Sequence, residues 1–190
     1  MAKKDTSKLI LEVAINLFSQ KGYDSITIKD VANEANVSEM TVFRHFGNKL
    51  NLFNKSFTEY IYIPQFKYFF ENNLTYNLKD DLLKISQIYQ KTMENNKKII
   101  SIELKNNEFI PNSKSPLEIF PLTLKKELIN YLLEMQNKGF ISQKRNLEAL
   151  AGNFLSINFG LFFNVNFLPE LLKYNSLENY LEDYIDSFIN

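Results

Sequence analysis

The stretch Thr27-Ile28-Lys29-Asp30-Val31-Ala32-Asn33-Glu34-Ala35-Asn36-Val37-Ser38-Glu39-Met40-Thr41-Val42-Phe43-Arg44-His45-Phe46 decides the fold. Thr27 stands before an apolar-periodic run and Asp30 follows three residues later, so the hydroxyl caps a helix while the carboxylate favours its positive end. Asn36 ends that short helix, because asparagine enters the left-handed backbone region at modest cost. Ser38 then caps a second helix, which stops at Gly47. A short helix, a tight turn and a second helix have the spacing of a helix-turn-helix, in which the second helix enters a DNA major groove.

Each position in the stretch has a physical reason. Ala32 is small where the helices approach closely, and Val31, Ala35, Val37 and Val42 fill a core against a preceding helix. That preceding helix carries Leu9, Ile10, Val13, Ala14, Leu17 and Phe18 on one stripe and ends near Gly22. The opposite face of the second helix presents Glu39, Met40, Thr41 and Arg44 to base edges, with Arg44 suited to guanine. His45, Lys49 and the capped helix starts near Thr27 and Asn48 are placed to hold phosphates.

Composition narrows the alternatives. The 190 residues are 45% hydrophobic with net charge zero from 22 basic and 22 acidic side chains, so an anionic partner has to be met by a local patch. Cysteine is absent and His45 is the single histidine, which removes disulfides, thiol nucleophiles, thiolate metal sites and multi-histidine zinc sites. No metal and no cofactor are expected. Segment 154–168 is interrupted by asparagines and is too short to span a bilayer, so the expectation is a cytoplasmic protein without membrane contact.

Glycine and proline number five each and apolar residues recur at helical spacing, which predicts an all-α chain. A three-helix DNA-binding unit over residues 1–48 precedes a larger helical domain over 49–190. In the latter, Pro64 marks a break; Leu78, Leu82, Ile85 and Tyr89 share one helix face, and Leu124, Leu128, Tyr131, Leu132 and Met135 share another. Between them, 106–121 holds Pro111, Pro116 and Pro121 and reads as a loop with short helical pieces at best. Leu147 to Phe163 is apolar nearly all round, and Leu177 to Phe188 forms an amphipathic last helix after a Ser176 cap.

The quoted stretch, with Ile10-Leu11-Glu12-Val13-Ala14-Ile15-Asn16-Leu17-Phe18, Gly22-Tyr23 and Gly47-Asn48-Lys49-Leu50-Asn51-Leu52, resembles the N-terminal signature of the tetracycline-repressor (TetR) family of bacterial transcriptional regulators. The resemblance covers about the first quarter of the chain, and several spaced motifs agree in order. Two positions depart from the family pattern. Asn36 replaces the usual turn glycine, a compatible change, and Phe43 replaces a tyrosine whose hydroxyl touches a phosphate. Phe43 therefore cannot be a phosphate donor, and its ring is left to pack on sugar or a base methyl.

The resemblance implies a homodimer on double-stranded DNA with a palindromic operator, the last two helices forming the dimer contact. Leu155, Phe159, Leu177, Leu181, Tyr184, Ile185 and Phe188 are the candidates there. It also implies a small hydrophobic effector in the larger domain, for which Tyr60, Phe66, Tyr89, Met93, Phe154, Asn158 and Phe162 are the candidate lining. The expected function is a repressor released from its operator by that effector. Two alternatives stand beside it. One is a regulator whose larger domain answers to a protein partner; the other is a carboxylate enzyme using Glu103 and Glu108, which no nucleophile or phosphate cradle accompanies.

Overall fold

A computed structural model describes residues 6–62, 66–105, 116–171 and 176–189. Among the described residues ten α-helices follow one another: α1 (Thr6–Lys21), α2 (Ile28–Glu34), α3 (Glu39–Phe46), α4 (Lys49–Tyr60), α5 (Phe66–Asn72), α6 (Leu78–Asn95), α7 (Lys97–Lys105), α8 (Pro116–Asn137), α9 (Leu147–Phe167) and α10 (Leu177–Ile189). The described residues contain no strand, and none of their helices is long and apolar enough to cross a membrane. They fall into two compact units, one of residues 1–62 and 95–117, the other of 63–94 and 118–190.

This division differs from the expected boundary at residue 48. The first unit keeps α4 and recruits α7 from 35 residues or more downstream, because α1 has more apolar surface than α2 and α3 can cover. Ile10, Ala14, Ile15 and Phe18 of α1 share one core with Val31 and Ala32 of α2, Val42 and Phe46 of α3, Leu52, Phe53 and Phe57 of α4, and Ile99 and Ile102 of α7. Each fully buried large side chain of this kind contributes roughly 1.5–3 kcal/mol. Polar bonds fix α7 in place. The Asn96 amide closes on the backbone of Tyr62, accepting from its N–H (2.8 Å) and donating to its carbonyl (2.7 Å). Lys105 donates to the carbonyls of Ser19 and Gln20 at 2.7 and 2.9 Å, placing a cation on the negative end of α1.

The second unit is built from α5, most of α6 and α8, α9 and α10. Its core holds Leu82, Ile85, Tyr89 and Met93 of α6, the expected face of α8, Ala151, Phe154 and Phe162 of α9, and Leu181 and Ile185 of α10. Among the described residues of this unit, one charged group is buried. Asp81, 2% exposed, accepts from the Thr75 amide and hydroxyl and the Tyr76 amide, each at 2.8 Å, and from the Tyr131 hydroxyl at 2.9 Å. Those donors replace its lost water and hold Tyr76 in the left-handed region at φ 59°.

The proline-rich segment is a correction. Residues 106–115, with Pro111, lie outside the described residues, as does Pro64. From Pro116 onward, however, the chain is helical, and Pro121 sits inside α8. Pro116 occupies the first helical position, where its missing N–H costs nothing, whereas Pro121 removes one ladder donor. Leu124, Leu128 and Leu132, all fully buried, hold the helix together beyond it.

Candidate nucleic-acid interface

Local chemistry sets α2 and α3 at their angle. Thr27 and Asp30 form a reciprocal capping box: the Asp30 amide donates to the Thr27 hydroxyl oxygen at 3.1 Å, and the Thr27 amide donates to the Asp30 carboxylate at 2.8 Å. The Thr27 hydroxyl also donates to that carboxylate at 2.6 Å, which holds the Asp30 carboxyl below the usual carboxylate range. Asn36 turns the chain at φ 53°, and the Val37 amide returns to the Ala32 carbonyl at 2.9 Å. Ser38 caps α3 by accepting from the Thr41 amide at 3.2 Å, and the two hydroxyls share a further bond at 2.9 Å. Gly47, at φ 77°, ends α3, and Asn48 starts α4 by accepting from the Asn51 amide at 2.8 Å.

These caps divide the candidate DNA contacts by role. Val42 and Phe46, four apart, are buried and anchor α3 to the core. Glu39, Met40, Phe43 and Arg44 are exposed on the outer face, Met40 at 75% and Phe43 at 46%. Thr41 and His45 are half-buried, and the His45 ring leans on Phe46 with centroids 5.9 Å apart. The hydroxyls of Thr27 and Ser38 are engaged in capping, so positioning the helices is what the structure gives them to do.

Lys49 is held more tightly than its place in the sequence suggests. Its ammonium lies 4.2 Å from the centroid of the Tyr23 ring and donates to the Asp24 carbonyl at 3.3 Å. Partial burial lowers its pKa from the ordinary lysine value. Lys55 is a second cation beside α3, 5.7 Å from the Phe46 ring, and nothing in the sequence spacing singles it out.

The other candidates separate by unit. Tyr60 is exposed in the first unit, while Phe66, Tyr89, Met93, Phe154, Asn158 and Phe162 are all buried in the second. Phe66 and Tyr89 both pack on Phe120, at 5.1 and 5.0 Å. The Asn158 amide is already committed: it donates to the Phe154 carbonyl at 2.9 Å and accepts from Gln90 at 3.2 Å. The hydroxyls of Ser86 and Tyr89, by contrast, are buried with no hydrogen-bond partner among the described residues.

Of the dimer candidates, Leu155, Leu181, Tyr184 and Ile185 are 0–8% exposed within the second unit. The apolar stripe of α10 covers the chain's own α9. Phe154 meets Tyr184 at 6.1 Å and Phe188 at 5.8 Å. Phe159 and Phe188 are half-buried, and Leu177 is 37% exposed. Of the carboxylates proposed for an enzyme, Glu103 lies in α7 and Glu108 lies outside the described residues.

A capped short helix, a left-handed turn and a second helix anchored on one face and free on the other define a helix-turn-helix DNA-binding protein. Residues 10–55 match the family model described as bacterial regulatory proteins, tetR family. The chain is 32% identical to YvkB, an HTH-type transcriptional regulator of Bacillus subtilis, over 161 residues covering 85% of this chain and 83% of that protein. It is 33% identical over 81 residues, 43% of this chain and 40% of the other, to IcaR of Staphylococcus epidermidis, the negative transcriptional regulator of the icaADBC biofilm operon. The fold is similar to that of NalD from Pseudomonas aeruginosa, the secondary repressor of the MexAB-OprM multidrug efflux pump, with a TM-score of 0.71, 19% identity, and 97% of this chain and 95% of that chain covered. The chain belongs to the TetR family of transcriptional regulators. It is a helix-turn-helix transcriptional regulator.

Proposed function

We propose that the chain acts in the cytoplasm as a homodimeric repressor that grips a palindromic operator with one α3 per subunit and lets go when a small hydrophobic effector enters its second unit. The observation that carries the DNA part is the outer face of α3, where Glu39, Met40, Phe43 and Arg44 are exposed while the caps and the buried face hold the helix rigid. A two-fold dimer presents its reading helices about 34 Å apart, or a multiple of that, which sets the half-site spacing.

The test is selection of an operator from random duplexes by the whole chain, followed by titration of variants. Arg44→Ala weakens the selected operator by about 1–3 kcal/mol and relaxes preference at one base pair per half-site. Lys49→Ala weakens all sequences alike and lowers the salt slope by about one unit, because in the wild type the ammonium moves from Tyr23 and Asp24 onto a phosphate. A salt slope equal to that of the wild type removes Lys49 from the phosphate contacts.

For dimerisation, support comes from the outward face of α9. Asn153, Ser156 and Ile157 are exposed there, and a Cβ added at Gly160 would meet nothing within 4 Å. A groove of about 450 Å³ runs along this face, with Ile157, Tyr184 and Phe188 in its wall.

For the effector, support comes from the Tyr89 phenol, which lies against Phe120 with no hydrogen-bond partner among the described residues and whose pKa burial pushes upward. A buried hydroxyl left unmatched favours a ligand that brings a hydrogen-bonding group into apolar surroundings. A thermal-shift screen of small apolar compounds, with hits retested for operator release, is the measurement. A hit stabilises the protein, weakens operator binding at saturation, and loses about 1–3 kcal/mol of affinity in Tyr89→Phe if it bonds the phenol. A stabilising compound that leaves operator affinity unchanged is not an inducer, because equal affinity for both states shifts nothing.

A further inference from the structure

The reading helix exposes two large apolar side chains where polar ones would cost nothing. Met40 is 75% and Phe43 46% exposed, three residues apart on one face of α3, with Arg44 completing the stripe four residues after Met40. Val42 and Phe46 already anchor the helix from its other side, so neither exposed residue is needed for the core. Phe43 has no hydroxyl to offer a phosphate, and Met40 no donor at all. Within a major groove, the apolar group that base edges present is the C5-methyl of thymine.

We propose that Met40 and Phe43 are specificity-determining residues that read thymine C5-methyl groups, so that each operator half-site carries thymines facing this pair beside the base pair met by Arg44. The inference rests on α3 being the DNA-reading helix and goes beyond it by naming what the apolar half of its surface recognises. The aromatic face of Phe43 offers a flat, rigid surface to a methyl, and the unbranched thioether of Met40 adapts to a second one. Removing water from one methyl group against such a surface is worth about a fourfold change in affinity.

The experiment uses the whole chain and the operator enriched from random duplexes, with each thymine of one half-site replaced in turn by deoxyuridine. Deoxyuridine preserves pairing and backbone and deletes only the methyl. At the thymines facing the pair, the wild type loses about fourfold in affinity per methyl. Phe43→Ala and Met40→Ala bind more weakly but become indifferent to deoxyuridine at the thymine each one faces. Phe43→Leu, which keeps apolar bulk, stays sensitive. An enriched operator whose thymines are all insensitive, or one equally sensitive in wild type and variants, overturns the inference and leaves α3 as a reader by other contacts. A selection that enriches no sequence overturns the reading role of α3 itself, and the inference with it.

Discussion

Phe53→Ala is expected to lower the local stability of the DNA-reading unit by about 3–5 kcal/mol, although Phe53 never meets DNA. Its side chain is fully buried. Its ring sits edge-on to Phe18 and to Tyr23, each at 5.1 Å, and lies 5.6 Å from Phe57. Removing it leaves a void between α1 and α4 that neither helix can close without losing its other contacts. The ring also supports Tyr23, over which Lys49 is held, so truncation frees the start of α4 as well. Hydrogen exchange at the amides of α1 and α4 reads the loss directly, and operator affinity falls with it. A loss below about 1 kcal/mol would mean that the site collapses and that the aromatic cluster is not the centre of this core.

A second large effect separates the chain's own core from its contact with another copy. An aspartate at Leu181 or Ile185 places an unpaired charge among residues that are 1% and 0% exposed, and breaking a buried environment this way costs about 3–5 kcal/mol. These variants are expected to unfold the second unit or to be insoluble, not to yield clean monomers. Ile157→Asp, at a position 37% exposed on the outer side of α9, is expected to fold with a normal thermal transition and to halve the mass seen by light scattering. Unchanged mass for Ile157→Asp moves the dimer contact off this face, and a soluble, folded Leu181→Asp would contradict the packing of α10.

The helix-turn-helix was legible because its signals are local. Thr27, Asn36, Ser38, Gly47 and Asn48 each act on backbone within a few residues, and all five do what their chemistry requires. Contacts between distant residues were not legible. Helix α7 is nine residues long, and Ile100, Ile102 and Leu104 alternate as a strand would, so its sequence declares neither state. Its placement depends on Asn96 finding Tyr62 and on Lys105 finding the end of α1. An amphipathic stripe likewise says that one face is covered without saying by what, and in α10 the apolar side packs on α9 of the same chain. Lys49 shows the same limit at the site itself, since its partner Tyr23 is 26 positions earlier.

The discontinuity of the first unit bears on how such a gene can be recombined. Its core is written in two places, with Ile99 and Ile102 encoded well after the helix-turn-helix and separated from it by α5 and most of α6. A crossover placed between residues 62 and 95 joins a DNA-reading head to a foreign α7, whose isoleucine and lysine counterparts must fit this α1 by chance. Exchange of the second unit between relatives should therefore succeed most often when 97–105 travels with the head, as an inserted cassette rather than a simple tail swap. Along this chain, changes in α1 and in α7 should be inherited together.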